Sequence, residues 1–362
     1  MIPTSFSFDV LGQKGEIPAV GFGTATLFND KCTEAVRCAI KAGVRHIDTA
    51  LLYNNQAAVG TAIAAAIRDG DVTREDLFIT TKVAFYPPGH NGNNAFAPIC
   101  FNANNIKGQE EAGIAECLAL LKLDYVDLLV IHNPLTDLTA YSASAAPHAF
   151  ELGRSILDNE ERDLILSRRL ERTHACFDFE AAEATRAASW RALEEAQAQG
   201  QARYIGVSNY PAALIKSMRA YARVMPCCNQ LEFHPRFSSP ALCAEAAQSG
   251  MVLTAYGSGN SVAIEKSPIV AAIASRKSVS PVSVVLTWTL QHGVAVIPRT
   301  ANPDKIASNA RAAQAEPLSS DDLSALDELN AAHPYYWEPM PCLPRGAEKD
   351  LGRSVYRIGG TY

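Results

Sequence analysis

An aspartate, a tyrosine, a lysine and a histidine, at positions 48, 53, 82 and 132, are the residues whose types could combine into a reaction. A tyrosine ordinarily holds its proton until about pH 10, so a phenol that is to act as a donor near neutrality needs help. A lysine ammonium beside the phenol oxygen favours the phenolate, and an aspartate paired with the lysine keeps it charged and in place. Lys82 and Asp48 have the right types for those two tasks, and a neutral His132 could donate a hydrogen bond that orients a carbonyl oxygen toward Tyr53. No serine or cysteine nucleophile with an attendant base is suggested, so the proton accompanies something other than acyl transfer.

These residues are only useful if the fold brings them together. In the run His46-Ile-Asp-Thr-Ala-Leu-Leu-Tyr53, Asp48 ends a short buried strand that starts near Gly43, and the helical pattern over 56–68 leaves Tyr53 in a strand-to-helix loop. The pattern ahead of it reads as a hairpin over 6–18, turning at Gly12-Gln-Lys-Gly15. A strand and helix rhythm follows, with helices over 33–42, 56–68, 109–121, 186–199, 211–220, 240–248, 281–291, 303–313 and 319–330. Strands are expected to end at Asp48, Lys82, His132, Ser208, Phe233, Tyr256 and Pro298, and Thr73-Arg-Glu-Asp76 has the form of a capping box. The rhythm amounts to eight strand–helix units, the number that closes a (β/α)8 TIM barrel, with a doubly wound sheet as the alternative.

A barrel of this kind works at the C-terminal ends of its strands. The residues there are Asp48, Lys82, His132, Ser208 with Asn209, Gln230, Tyr256, and Arg299 with Thr300. Singly, each has a plain reading as a capping aspartate, a surface lysine, a satisfied core histidine or a turn asparagine. An acid, a lysine, a histidine and amides gathered at one face do not. Two long βα-loop insertions, 84–106 and 134–185, break the rhythm beside Lys82 and His132, and are expected to supply the lid and walls of a substrate site. An irregular tail over 333–362 completes what reads as a single domain, 1–362.

With hydrophobic residues at 48%, charged residues at 19% and a net charge of -6, the chain can bury a large core and carries no basic footprint for nucleic acid or an anionic membrane. No apolar run is long enough to span a bilayer and no leader pattern opens the sequence, so a soluble cytoplasmic protein is expected. Nine cysteines without CxxC spacing, apart from the adjacent Cys227 and Cys228, argue against a disulfide framework and against a metal site.

The sequence resembles the aldo-keto reductases. The resemblance rests on Gly21-Phe-Gly-Thr24, His46-Ile-Asp-Thr-Ala-Leu-Leu-Tyr-Asn54, Thr81-Lys82, Val130-Ile-His132, Gly206-Val-Ser-Asn209, Asn229-Gln230, Ala255-Tyr256, and Ile297-Pro-Arg-Thr300 with Lys305-Ile and Asn309, in the family's order. Gly21-Phe-Gly alone lacks the third glycine and the immediate helix of a dinucleotide-binding fingerprint. The resemblance implies that Tyr53 is a general acid tuned by Lys82 and Asp48, that His132 positions the carbonyl, and that hydride comes from a nicotinamide bound across the barrel mouth. It further implies that Thr24 and Asp48 contact the cofactor, that Ser208, Asn209 and Gln230 hold its carboxamide, and that Tyr256 stacks on its ring. Arg299, Thr300, Asn302, Lys305 and Asn309 would take the adenosine end, and a guanidinium beside a hydroxyl suits a 2′-phosphate, hence NADPH/NADP+ ahead of NADH. The sequence departs from the family at Gln56, Lys305 and Ser308, and at Ala25, Ala84 and Asn133, where well-known members carry tryptophan. Ala25, Phe85, Tyr86 and Asn133 are then the expected substrate contacts, in a widened pocket. The resemblance points to reduction of an aldehyde or ketone to an alcohol, with room for a bulky substrate, by a monomer or homodimer, and a cofactor-sensing subunit is the other possibility.

Overall fold

The computed structural model describes residues 2–83, 108–132, 134, 179–210, 212–238, 240–258 and 267–332. The insertion over 84–106, most of the one over 134–185 and the tail 333–362 lie outside these residues, as do Phe85, Tyr86 and Asn133. An antiparallel hairpin of β1 (Ser5–Val10) and β2 (Gln13–Pro18) comes first. Its turn is Leu11-Gly12, with Gly12 at φ +80°, so Gln13 to Gly15 belong to the second strand and not to the turn. Gln13 is buried and anchors the hairpin, donating to the carbonyls of Ile205 and Met225 and accepting from Ile205 N at 2.8 Å.

Eight parallel strands follow in one sheet whose spatial order is their chain order: β3 (Gly21–Gly23), β4 (His46–Asp48), β5 (Phe78–Val83), β6 (Val126–Ile131), β7 (Ala202–Ser208), β8 (Cys228–Glu232), β9 (Val252–Tyr256) and β10 (Val294–Val296). A parallel bridge between Val20 and Val296, with Val296 N donating to Ala19 O at 2.8 Å, joins the last strand to the first. This closure makes the sheet a barrel and removes the doubly wound alternative.

Among the described residues the helices are α1 (Asn29–Lys41), α2 (Gln56–Arg68), α3 (Glu110–Leu121), α4 (Phe179–Ala198), α5 (Ala212–Met218), α6 (Pro240–Ser249), α7 (Pro268–Lys277), α8 (Pro281–Gln291), α9 (Pro303–Ala310) and α10 (Ser320–Ala332). Two agree with the sequence reading to the residue, 56–68 and 281–291. In α2 the buried Val59, Ala62, Ile63 and Ala66 recur at the spacing of one helical face. α4 starts at Phe179, so the last seven residues assigned to the second insertion are helix. α7 was not anticipated, and Thr73 to Asp76 form no helix: Thr73 N and Oγ1 both donate to Asp76 Oδ2 in a turn.

The barrel interior is layered. Phe8, Phe78 and Tyr204 form an aromatic base under the hairpin, with Phe8 and Tyr204 edge to face at 4.9 Å. His46 lies above Phe78 with its Nε2 2.9 Å from Thr80 Oγ1. Gly21 faces it because nothing larger fits, a Cβ there coming within 2.7 Å of His46 Nδ1, and Gly23 is held to glycine by the backbone, a Cβ there coming within 2.8 Å of Ile297 O. Above His46, Asp48 and Lys82 pair near the C-terminal ends of β4 and β5, and Gln230 reaches Asp48 from β8.

Candidate active site

Strand alternation places Phe78, Thr80 and Lys82 on one face of β5, and the third of these meets Asp48, the last residue of β4. Lys82 Nζ donates to Asp48 Oδ1 at 2.6 Å, to Thr49 O at 3.0 Å and to Tyr53 OH at 3.3 Å. An ammonium has three protons and no lone pair, so these three acceptors are what a charged lysine requires. Both ends of the ion pair are buried, with Lys82 0% and Asp48 1% exposed. Burial pulls the Lys82 ammonium below its usual range, and Asp48 opposes that pull. The second oxygen of Asp48 accepts from Gln230 Nε2 at 2.7 Å, and its backbone carbonyl accepts from Thr24 Oγ1 at 3.0 Å.

Tyr53 ends a 3₁₀ turn, Leu51–Tyr53, which Asn54 closes in the left-handed region at φ +51°. Its ring stands edge-on to His132, with centroids 5.5 Å apart and planes at 81°. Burial, and after it the charge on Lys82, hold His132 well below the ordinary histidine range, so the imidazole is neutral. Its Nδ1 is buried and has no hydrogen-bond partner among the described residues. A neutral ring with one N–H, a half-buried phenol and a buried ammonium thus converge on one small region of the barrel mouth.

Around them Asn209, at φ +62°, donates from Nδ2 to His132 O at 3.0 Å and to Ser208 Oγ at 3.1 Å, and accepts from Tyr256 OH at 2.8 Å. The His132 carbonyl can only accept, which fixes how the Asn209 amide is turned. Ser208 and Gln230 are buried, and Tyr256 is half-buried beside them. These amides, the hydroxyl and the phenol are the donor and acceptor set that a carboxamide on an aromatic ring would need, so the residues present fit a nicotinamide. Arg299 is exposed, next to Gly23 at the rim of the mouth, and Thr300 accepts from Asn302 N. Asn302 caps α9 by accepting from Lys305 N at 3.1 Å, while Lys305 is exposed and Asn309 half-buried. Ala25 is half-buried at the mouth.

Two further buried polar residues, outside the sequence reading, lie in the elements that carry the site. Asn55 donates to Thr24 O and Leu27 O, both at 2.8 Å, and accepts from Thr49 Oγ1, so it ties the loop after β3 to the one after β4. It occupies the N-cap position of α2, yet its side chain makes no capping bond, so local sequence gives no sign of this role. Glu232, two residues beyond Gln230 on β8, is buried with its Oε1 3.1 Å from His234 Nε2. Its signal was there, since period-two alternation puts it on the same face as Gln230.

Burial pushes the Cys117 and Cys228 thiols up to about 12, so neither is a thiolate near neutrality. Among the described residues no group of three or more His, Cys, Asp or Glu could hold a metal ion, and no single helix is long and apolar enough to cross a membrane.

A family model described as the Aldo/keto reductase family matches residues 19–331. The chain is 32% identical to an NADH-dependent D-xylose reductase of Candida parapsilosis, across 87% of this chain and 90% of that protein. It is 31% identical to human aldo-keto reductase family 1 member C2, across 87% and 88%. Its fold is similar to that of a Bombyx mori aldo-keto reductase in complex with NADP, with a TM-score of 0.64, 26% identity, and coverage of 89% and 92%. It is similar also to an aldose reductase from Giardia lamblia, with a TM-score of 0.66, 26% identity, and coverage of 88% and 94%.

Proposed function

The chain belongs to the aldo/keto reductase family, and from that premise we propose that Tyr53 protonates the oxygen of a small aldehyde or ketone while NADPH serves as the reductant. The protein is an NAD(P)H-dependent oxidoreductase of carbonyl compounds. The single observation that carries the residue roles is the unbroken chain from Asp48 through Lys82 to the phenol oxygen of Tyr53, at 2.6 and 3.3 Å.

The reduced nicotinamide, when bound, supplies the hydride. Everything else falls to the protein's own groups. Lys82 already donates to Asp48 and Thr49, so its remaining proton turns to the Tyr53 oxygen, which accepts it and keeps its own hydrogen as the one to be transferred. As that hydrogen passes to a carbonyl oxygen, the ammonium at 3.3 Å stabilises the phenolate left behind. His132, neutral and edge-on to Tyr53, donates to the same carbonyl oxygen and sets its direction. Asp48 keeps the ammonium in place and is itself held by Gln230 and Thr24.

Ser208, Asn209 and Gln230 hold the carboxamide in this reading, and Tyr256, its hydroxyl tied to Asn209, lies against the ring. Arg299 with Thr300, Asn302, Lys305 and Asn309 would take the adenosine end, and the exposed guanidinium favours the 2′-phosphate of NADPH. Relatives named for D-xylose use NADH, NADPH or either, so this preference rests on Arg299 and not on kinship. Ala25 leaves the pocket wide on its side. A cytoplasmic monomer or homodimer accords with the net charge of -6 and the free cysteines.

The test is Tyr53→Phe beside the parental protein, with a panel of aldehydes and ketones and both nucleotides. Turnover should fall by roughly 10²–10⁴-fold, the usual contribution of an acid–base group. NADPH should still bind, and bind more tightly than NADH. Near-parental turnover at saturating NADPH would mean that another group supplies the proton.

A further inference from the structure

We propose that Gln230 is a positioning residue for the proton donor as well as a cofactor contact, because its amide braces Asp48 across the barrel. The proposal rests on the reading of Tyr53 as the acid. β8 and β4 are four strands apart in an eight-stranded ring, so they stand on opposite sides of it, and the 2.7 Å bond from Gln230 Nε2 to Asp48 Oδ2 crosses the lumen. Lys82 takes the other carboxylate oxygen. Without Gln230, Asp48 Oδ2 would be a buried acceptor with no donor among the described residues, free to rotate off Lys82.

The brace also fixes Gln230. An ionised carboxylate only accepts, so Asp48 turns the amide with Nε2 inward and Oε1 outward, and the side chain makes no other hydrogen bond among the described residues. The outward oxygen is an acceptor suited to the NH₂ of a carboxamide. One amide therefore touches the cofactor site with one end and the Asp48–Lys82–Tyr53 chain with the other, so disturbance at either end reaches the other.

The sign of the effect follows from charge. The Gln230 N–H disperses part of the negative charge on Asp48. Its removal leaves more of that charge facing Lys82, weakens the net positive field at the Tyr53 oxygen, and lets the phenol keep its proton to higher pH.

The experiment measures NADPH affinity by fluorescence quenching, and the pH profile of kcat/KM for carbonyl reduction, in four variants. Gln230→Leu should weaken NADPH and move the alkaline limb of the profile up by roughly half a unit or more. Ser208→Ala, which loses a carboxamide contact that has no bond to Asp48 among the described residues, should weaken NADPH and leave the limb in place. Gln230→Glu keeps the volume, and can keep the brace only with a proton shared between two carboxyls. Its turnover should therefore fall as pH rises through release of that proton, a step absent from the parent, and this holds the test open if Gln230→Leu does not fold. Loss of NADPH affinity with a parental pH profile in both Gln230 variants would overturn the brace. Tyr53→Phe separates the two readings: if it keeps turnover, the acid assignment fails, and if it is inactive while the Gln230 profiles stay parental, only the brace fails.

Discussion

Two buried aspartates in this barrel are treated in opposite ways. Asp48, at the end of β4, is paired with a lysine that is itself 0% exposed, while Asp127, at the second position of β6, is paired with two arginines that reach solvent. Arg74 contacts Asp127 Oδ2 at 2.8 Å and lies over the Tyr125 ring, Arg203 contacts Oδ1 at 3.0 Å, and Ile79 N donates to Oδ2 at 2.9 Å. Both carboxylates are satisfied, so burial alone does not distinguish a site from a scaffold. The partner does. A guanidinium keeps its charge at any ordinary pH, and here the terminal nitrogens of Arg74 donate to the carbonyls of Leu77 and Tyr125 and to Asp127, with Arg203 donating to the other carboxylate oxygen. A buried lysine has a charge that its surroundings can shift, and the third proton of Lys82 reaches Tyr53. The cluster around Asp127 joins strands, while the one around Asp48 leaves one bond over for chemistry.

Crossing that distinction by mutation has its largest effect at the mouth. Lys82→Met removes the only formal positive charge paired with Asp48 among the described residues, and the donor to Tyr53 with it. Breaking a buried pair on one side costs about 3–5 kcal/mol of stability, and turnover should fall by roughly 10²–10⁴-fold or more as the acid loses its tuning. Urea unfolding and steady-state kinetics on one preparation read both. A stable, active Lys82→Met protein would place Asp48 with the scaffold.

This contrast was only half legible in the sequence. Asp48, Lys82 and Tyr53 could be named because each ends a strand or follows one closely, and because α2 reads unambiguously from Val59, Ala62, Ile63 and Ala66. That Lys82 would touch Tyr53, and Gln230 reach Asp48 from 182 residues away, depends on strand order and register, which no local pattern contains. β3 was legible only as a motif, since three residues with two glycines have poor strand propensity and the need for glycine comes from His46 and Ile297. α7 was missed because its buried Val270, Ile273 and Ala274 are few and set among small and polar residues. Asp127 lay unremarked within an apolar strand, its partners arriving from 74 and 203.

A second difference lies in acid. His46, beneath the site, is buried, and that burial lowers its pKa to about 4, while His132 also lies well below its ordinary range. Both are neutral in the folded protein and take up protons near pH 6.5 once unfolded. Between pH 6.5 and 4 the unfolded chain binds more protons, so stability is full above that window and falls as pH drops through it. His46 alone accounts for roughly 3 kcal/mol. The arginines around Asp127 stay charged throughout and add no slope. Urea midpoints at pH 7 and pH 4.5 should therefore differ clearly in the parent and by less in His46→Gln, and an unchanged slope in that variant would take the acid sensitivity away from His46.

The smallest effect belongs to Asp127→Asn. The amide keeps one oxygen for Ile79 N or a guanidinium, but its NH₂ then faces a group that can only donate. Arg203 is 51% exposed on its side chain and can turn to water, whereas Arg74, at 14%, is held over Tyr125 and less able to do so. The cost is then that of one lost charge-assisted bond and one poorly satisfied donor, about 1–3 kcal/mol, below the loss at Lys82. It should appear as a lower melting temperature with kcat/KM and the pH profile of the parent, because no bond runs from Asp127 to Asp48, Lys82 or Tyr53. A fall in kcat/KM at a temperature where the variant is fully folded would show that the cluster around Asp127 governs the geometry at the mouth, and the division between the two aspartates would not stand.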